Sequence, residues 1–179
     1  LTSLVNFFNQ FDATIYKSEK VETHGGSIRI YVKKNKQVKV GSSVKKMLGD
    51  EEKFGIKKFQ TYQEFGNKVY KIRENVRKNI LKLKENGTKI IGYGSPAKAT
   101  TALNFFGISN EIECIVEDNK LKQGKLLPGV KIPIVSKSDI KDKPDFALVL
   151  AWNFINEIKS KNVDLAHKFI SIKDLEKKD

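Results

Sequence analysis

The stretch IIGYGSPAKATTALNFFGI, Ile90 to Ile108, reads as a short apolar strand, a glycine turn and a helix. Within it, Gly92, Gly94 and Ala97 hold the Gly-x-Gly-x-x-Ala spacing. Two missing Cβ atoms let the turn tighten and let backbone amides approach an anion. Pro96 suits the start of a helix, where its absent N–H would be unpaired anyway. The helix N-terminus adds partial positive charge, which favours a phosphate. Ser95, Lys98 and Thr100 stand beside the turn as further donors. Three states fit this spacing: a nicotinamide dinucleotide, a nucleotide-linked substrate, and a tight turn that holds nothing.

Downstream, strands and helices alternate. Glu111 to Val116, Val130 to Val135, Asp145 to Trp152 and Lys168 to Ile172 read as strands, and Asn153 to Lys161 as a helix. The strands are nearly continuous apolar runs, the pattern of a parallel sheet covered on both faces. The expected fold class is therefore α/β, a Rossmann-like, mostly parallel sheet with flanking helices, over residues 87–179. Upstream, Phe59, Tyr62, Phe65, Val69, Ile72, Val76, Ile80 and Leu83 recur at steps of three and four. They predict one apolar stripe on a long helix, with Gly87 after Asn86 as its stop. Ser42 or Ser43 is a candidate cap for a short helix running to about Leu48.

The first residues read differently. Leu4, Val5, Phe7, Phe8 and Phe11 cover one helical face, and strand-like runs follow at Thr14 to Val21 and Ser27 to Val32. Thr23-His24-Gly25-Gly26 between them predicts a tight turn and an antiparallel hairpin. Such a unit is too small to bury its own core. The organisation expected is 1–35 as a helix and hairpin, 36–86 as connecting helices, and 87–179 as the Rossmann-like domain.

Composition narrows the function classes. The formal charge of the 179 residues is +13. The excess is scattered lysine without interleaved aromatics, which predicts no specific nucleic-acid partner and a solvated basic surface. No apolar run is long enough to span a membrane, and the first residues lack the layout of a signal peptide. Cys114 is the only cysteine, so neither an intrachain disulfide nor a cysteine-based metal site is expected. A reducing, cytoplasmic setting fits. The chain opens at Leu1 without an initiator methionine, so a fragment or a processed product is expected.

Glu117 and Asp118 end the second strand of the parallel sheet, where an acidic residue meets a ribose hydroxyl. Lys120, Lys122 and Lys125 follow in the loop, as phosphate partners or as surface lysines. Trp152 stands at the end of the strongest strand, either to stack on a base or to plug the sheet edge. His24, beside two glycines, can approach a ligand and titrates near neutrality, or it lies in solvent. The sequence shows no histidine–carboxylate pair for hydride transfer, no nucleophile elbow and no metal-ligand spacing. A binding module is expected rather than a complete enzyme.

Three ordered segments, GYGSPAKATTALNFFGI, VEDNKLKQGKLLPGVKIPI and KPDFALVLAWNFINEI, resemble the C-terminal domain of S-adenosylmethionine-dependent sugar C-methyltransferases. The resemblance runs from about Phe54 to Ile172, and THGGSIRIY resembles the closing hairpin of the methyl-donor domain of the same proteins. It implies a C-terminal part of an enzyme that methylates a carbon of a nucleotide-linked keto-deoxysugar. This part would bind the sugar nucleotide and be inactive alone. S-adenosylmethionine would bind mainly elsewhere, and the catalytic residues would precede Leu1, with His24 a minor candidate. The resemblance implies diphosphate contacts from Gly92, Tyr93, Gly94, Ser95, Ala97, Lys98 and Thr100, and nucleoside contacts from Glu117, Asp118 and Lys122. Here Glu117-Asp118-Asn119-Lys120 stands where the family reads nearer Asp-x-Asn-Pro. The alternatives are a regulatory nucleotide-binding module and an NAD(P)-dependent oxidoreductase fragment. A homo-oligomer is compatible with the resemblance.

Overall fold

The computed structural model describes residues 1–34, 37–85 and 87–177. The chain divides into two compact units, residues 1–67 and 68–179. Asn86, which precedes the expected helix stop Gly87, and residues 35–36 of the connector lie outside the described residues; Gly87 itself takes a φ of 70°, the left-handed conformation that ends helices.

In the first unit, α1 (Thr2–Asn9) is followed by the antiparallel strands β1 (Thr14–Val21) and β2 (Ser27–Lys33). A single 3₁₀ turn, Thr23–Gly25, joins the strands, and Gly25 and Gly26 take the positive φ values of 84° and 120°. Leu1, Ile15, Val44 and Met47 form a small buried cluster. Val44 and Met47 come from α2 (Ser42–Phe54), which runs a turn and a half beyond the expected end at Leu48. Gly49 is tolerated inside it, and the helix stops at Gly55, whose φ of 81° is the left-handed conformation that ends helices. Ser43 does not cap: its hydroxyl accepts the Ser18 amide from β1, and Gly41 is the N-cap residue.

The second unit is built on five parallel strands in the order β5-β4-β3-β6-β7. These are β3 (Ile90–Tyr93), β4 (Ile115–Val116), β5 (Ile134–Val135), β6 (Phe146–Val149) and β7 (Lys168–Ser171). The expected parallel α/β sheet is present. Its second and third strands are shorter than the apolar runs. Pro133 has no N–H for a ladder, and residues 124–134 fold back on themselves through the Gly124 amide to the Ile134 carbonyl and the Ile134 amide to the Lys125 carbonyl. The strand expected to reach Trp152 ends at Val149, and Trp152–Phe154 form a 3₁₀ turn.

Helix α3 (Phe59–Glu85) crosses the boundary between the units. Its predicted stripe is buried only in part. Val76 and Ile80 are fully buried among Ile90, Leu103, Ile108 and Leu148, whereas Phe59, Tyr62 and Phe65 are exposed. The helix is about 40 Å long at 1.5 Å per residue, and four-residue strands span about a third of that. Within the second unit, the sheet covers the part of the stripe that carries Val76 and Ile80. Polar side chains fix this part: Asn79 donates to the carbonyls of Leu175 and Lys177, both at 2.9 Å. Arg77 donates to the carbonyls of Phe106 and Gly107 at the end of α4 (Ala97–Phe106). A cation at a helix C-terminus meets both the unpaired carbonyls and the dipole.

Candidate functional site

The chain moves outward from β3 to β4 to β5, then returns to the other side of β3 for β6 and β7. Beyond the carboxyl ends of β3 and β6 the connections part in opposite directions, and open α/β sheets bind ligands in such a crevice. A cleft of about 600 Å³ lies there. It is lined by Tyr93, Gly94 and Ser95 after β3, by Glu117, Asp118 and Lys122 after β4, and by Phe154, Glu157, Lys161 and Asn162 around α5 (Ile155–Lys161).

Local chemistry explains how the turn forms. A Cβ on Gly92 would stand 2.9 Å from Cγ1 of Ile115 and 3.1 Å from Cδ1 of Leu150, so only glycine lets the strand pack there. Gly94 has φ of 82°, and its amide donates to the Val116 carbonyl at 2.8 Å. The chain therefore leaves β3 sharply, and α4 starts at Ala97 with Pro96 as its N-cap residue.

The anion at this turn is a side chain of the protein itself. Oε2 of Glu117 accepts the Ser95 amide at 2.9 Å and the Ser95 hydroxyl at 2.5 Å. Its Oε1 accepts the Asn119 amide at 3.1 Å. Lys122 Nζ donates to the Ser95 carbonyl at 3.0 Å and lies 3.4 Å from Oε2 of Glu117. Burial alone would raise the pKa of Glu117. The hydrogen bonds from Ser95 and Asn119 and the charge of Lys122 outweigh it and bring the carboxyl down to about 2. Beside it, the buried Tyr93 hydroxyl donates to Asp118 at 2.9 Å and accepts from Asn162 Nδ2 at 3.2 Å. Burial, then the hydrogen bond to Asp118, raises the Tyr93 pKa to about 12. In this arrangement Glu117 is ionised and Tyr93 neutral near neutrality.

A pH test follows from the Glu117 pKa. An unfolded glutamate titrates near 4.5, and the folded one near 2. Between these values the unfolded chain binds a proton that the native chain does not. The stabilisation from Glu117 is thus complete above about pH 4.5 and is lost as pH falls towards 2. Urea unfolding at pH 6, 4 and 3 should show stability falling more steeply in the wild type than in Glu117→Gln. Parallel profiles would contradict the assignment.

Of the residues expected at a ligand, the structure brings Tyr93, Gly94, Ser95, Glu117, Asp118 and Lys122 together at the cleft. Gly92 lies in β3, beneath the turn. Ala97, Lys98 and Thr100 lie on α4 and do not line the cleft. Lys98 instead lies 6.0 Å from the ring of Trp152, on a separate apolar groove of about 480 Å³ with Ala102, Phe105 and Ile172. His24 belongs to the first unit, and its side chain lies outside the described residues. Sequence reading missed Phe154, Glu157, Ile158, Lys161 and Asn162. Their three- and four-residue spacing marks a helix face, but only the return of β6 beside β3 puts that face on the cleft.

This topology defines a Rossmann-like α/β domain. The C-methyltransferase C-terminal domain family matches residues 22–171. The chain is 33% identical over 161 residues to C-methyltransferase NovU of Streptomyces niveus, an alignment covering 88% of this chain. The chain belongs to the C-methyltransferase C-terminal domain family. It spans 38% of the length of NovU. Among the described residues no helix is long and apolar enough to cross a membrane.

Proposed function

We propose that this chain supplies the acceptor-binding part of an S-adenosylmethionine-dependent C-methyltransferase, and that the acceptor is a nucleotide-linked keto sugar. The observation that carries the reading is the cleft at the strand crossover, in a chain of this family, lined by three carboxylates and two ammonium groups together with Ser95, Tyr93 and Asn162. Carboxylates and amides are partners for the hydroxyls of a ribose or a sugar ring. Phe154, also at the cleft, offers a face to an apolar ring surface.

The residues present do not fit the methyl donor at this cleft. A glycine turn would hold the donor's carboxylate through the amide of Ser95, and that amide is bonded to Glu117. We therefore assign no step of methyl transfer to this cleft. In the whole enzyme a base would remove the proton beside the sugar's keto group, and the resulting enolate carbon would take the sulfonium methyl, the electron pair of the broken C–S bond staying on sulfur as a neutral thioether. The role of this domain is to hold the acceptor in place for that attack. Sugar nucleotides and S-adenosylmethionine are cytoplasmic metabolites, so a cytoplasmic setting belongs to the same proposal.

Calorimetric titration of the chain with UDP- and dTDP-linked sugars, S-adenosylmethionine and NAD(H) tests this. Binding of a sugar nucleotide, weakened at least tenfold by Asp118→Ala, is expected. Binding of NAD(H) with no heat from any sugar nucleotide would sink the reading.

A further inference from the structure

We infer that Glu117 closes the glycine turn to phosphate, so that the cleft takes the hydroxyl-bearing part of its ligand and the diphosphate lies off the turn. The ligand's identity rests on the function proposed above. The closure of the turn stands on geometry alone.

A glycine turn followed by a helix binds phosphate through the amides of its first residues. Here the Gly94 amide is spent on the Val116 carbonyl. The Ser95 amide and hydroxyl both go to one oxygen of Glu117. Pro96 has no N–H to offer. Lys122, the cation beside the turn, is bonded to the Ser95 carbonyl and to Glu117. The side chain of Glu117 is only 13% exposed, and Ser95 is 7% exposed. The carboxylate therefore occupies the position of the anion and holds the Ser95 amide, the Ser95 hydroxyl and the Lys122 ammonium. A phosphate entering there would lose those donors and would meet a fixed negative charge in a partly desolvated site.

The same arrangement leaves acceptors for a neutral ligand. Asp118 is exposed at the cleft, and among the described residues its hydrogen bonds come from one group, the Tyr93 hydroxyl. An ionised carboxylate offers about four acceptor positions. Glu117, Asp118 and Glu157 outnumber Lys122 and Lys161 along the walls. Two neighbouring hydroxyls of a ribose or a hexose suit such a wall, and a doubly charged diphosphate does not. Glu117 is thus a specificity-determining residue: it converts an anion cradle into a hydroxyl site.

The test uses inorganic pyrophosphate as the probe, with the wild type, Glu117→Ala and Glu117→Gln. Calorimetry gives the affinities, and the Ser95 amide resonance reports the turn. The alanine variant should bind pyrophosphate at least tenfold more tightly than the wild type, with a shift of the Ser95 amide. The glutamine variant should fall between, because it keeps the acceptor oxygen and sheds the charge. It also serves if the alanine variant fails to fold. A Ser95 shift on adding pyrophosphate to the wild type, or variants within twofold of the wild type, would overturn the inference. Failure of every sugar nucleotide to bind would overturn the proposed function and leave the pyrophosphate comparison to decide the closed turn by itself.

Discussion

Replacing Ile80 by alanine should lower the melting temperature by roughly 10 °C, read by circular dichroism. The reason lies in where α3 meets the sheet. Ile80 has no exposed surface and packs in the cluster with Ile90, Leu103, Ile170 and Leu175. Removing its outer carbons loses their transfer free energy and leaves a cavity, together about 2–5 kcal/mol for such a change. Total stabilities are about 5–15 kcal/mol, and about 1 kcal/mol moves the melting point of a unit this size by several degrees. Phe65→Ala is the comparison. It lies on the same predicted stripe, but Phe65 is 66% exposed, so its change should stay within about 0.5 kcal/mol. Equal shifts for the two variants would mean that α3 is not docked on the sheet through its C-terminal part.

Gly94→Val should weaken sugar-nucleotide binding at least tenfold and lower the melting temperature by several degrees. Gly94 holds φ of 82°, a conformation in which a β-branched residue costs roughly 1–3 kcal/mol. The new Cβ would also stand 3.2 Å from the Cβ of Ala151. To relieve both, the turn must shift, and the Ser95 amide with it. Glu117 then loses the partner that fixes its carboxylate, and the cleft wall loses its shape. A tenfold loss corresponds to about 1.4 kcal/mol, within what a misplaced turn costs. Gly94→Ala should give a smaller effect of the same sign, since alanine carries the Cβ without the branch. Unchanged titration by the valine variant would remove the turn from the binding surface.

Much of the fold was legible because its signals are local. A glycine pair between two alternating runs predicts a hairpin, and β1 and β2 pair as expected. Apolar runs between helical segments predict a parallel sheet, and five parallel strands form. The position of Gly92 and Gly94 at the end of a strand likewise marked the turn. Element ends were less legible. α2 continues past Leu48 because burial of Met47 and the left-handed Gly55, rather than Gly49, decide where it stops. Trp152 leaves the strand because β6 loses both ladder partners once β3 has turned at Gly94 and β7 has ended at Ser171.

The candidate site divides along the same line. The sequence by itself determined that a tight, donor-rich turn would stand beside an acidic strand end, because both follow from residue type and spacing within short segments. Only the tertiary structure decided which anion fills the turn. Ser95 and Glu117 are 22 residues apart in the chain and meet because β4 pairs beside β3. The same packing brought Asn162 to Tyr93 across 69 residues and sent Lys98 to a different groove. Periodicity and turn chemistry are properties of neighbouring residues. The partner of a buried polar group is whatever a distant segment places within 3 Å of it, and no local pattern carries that distance.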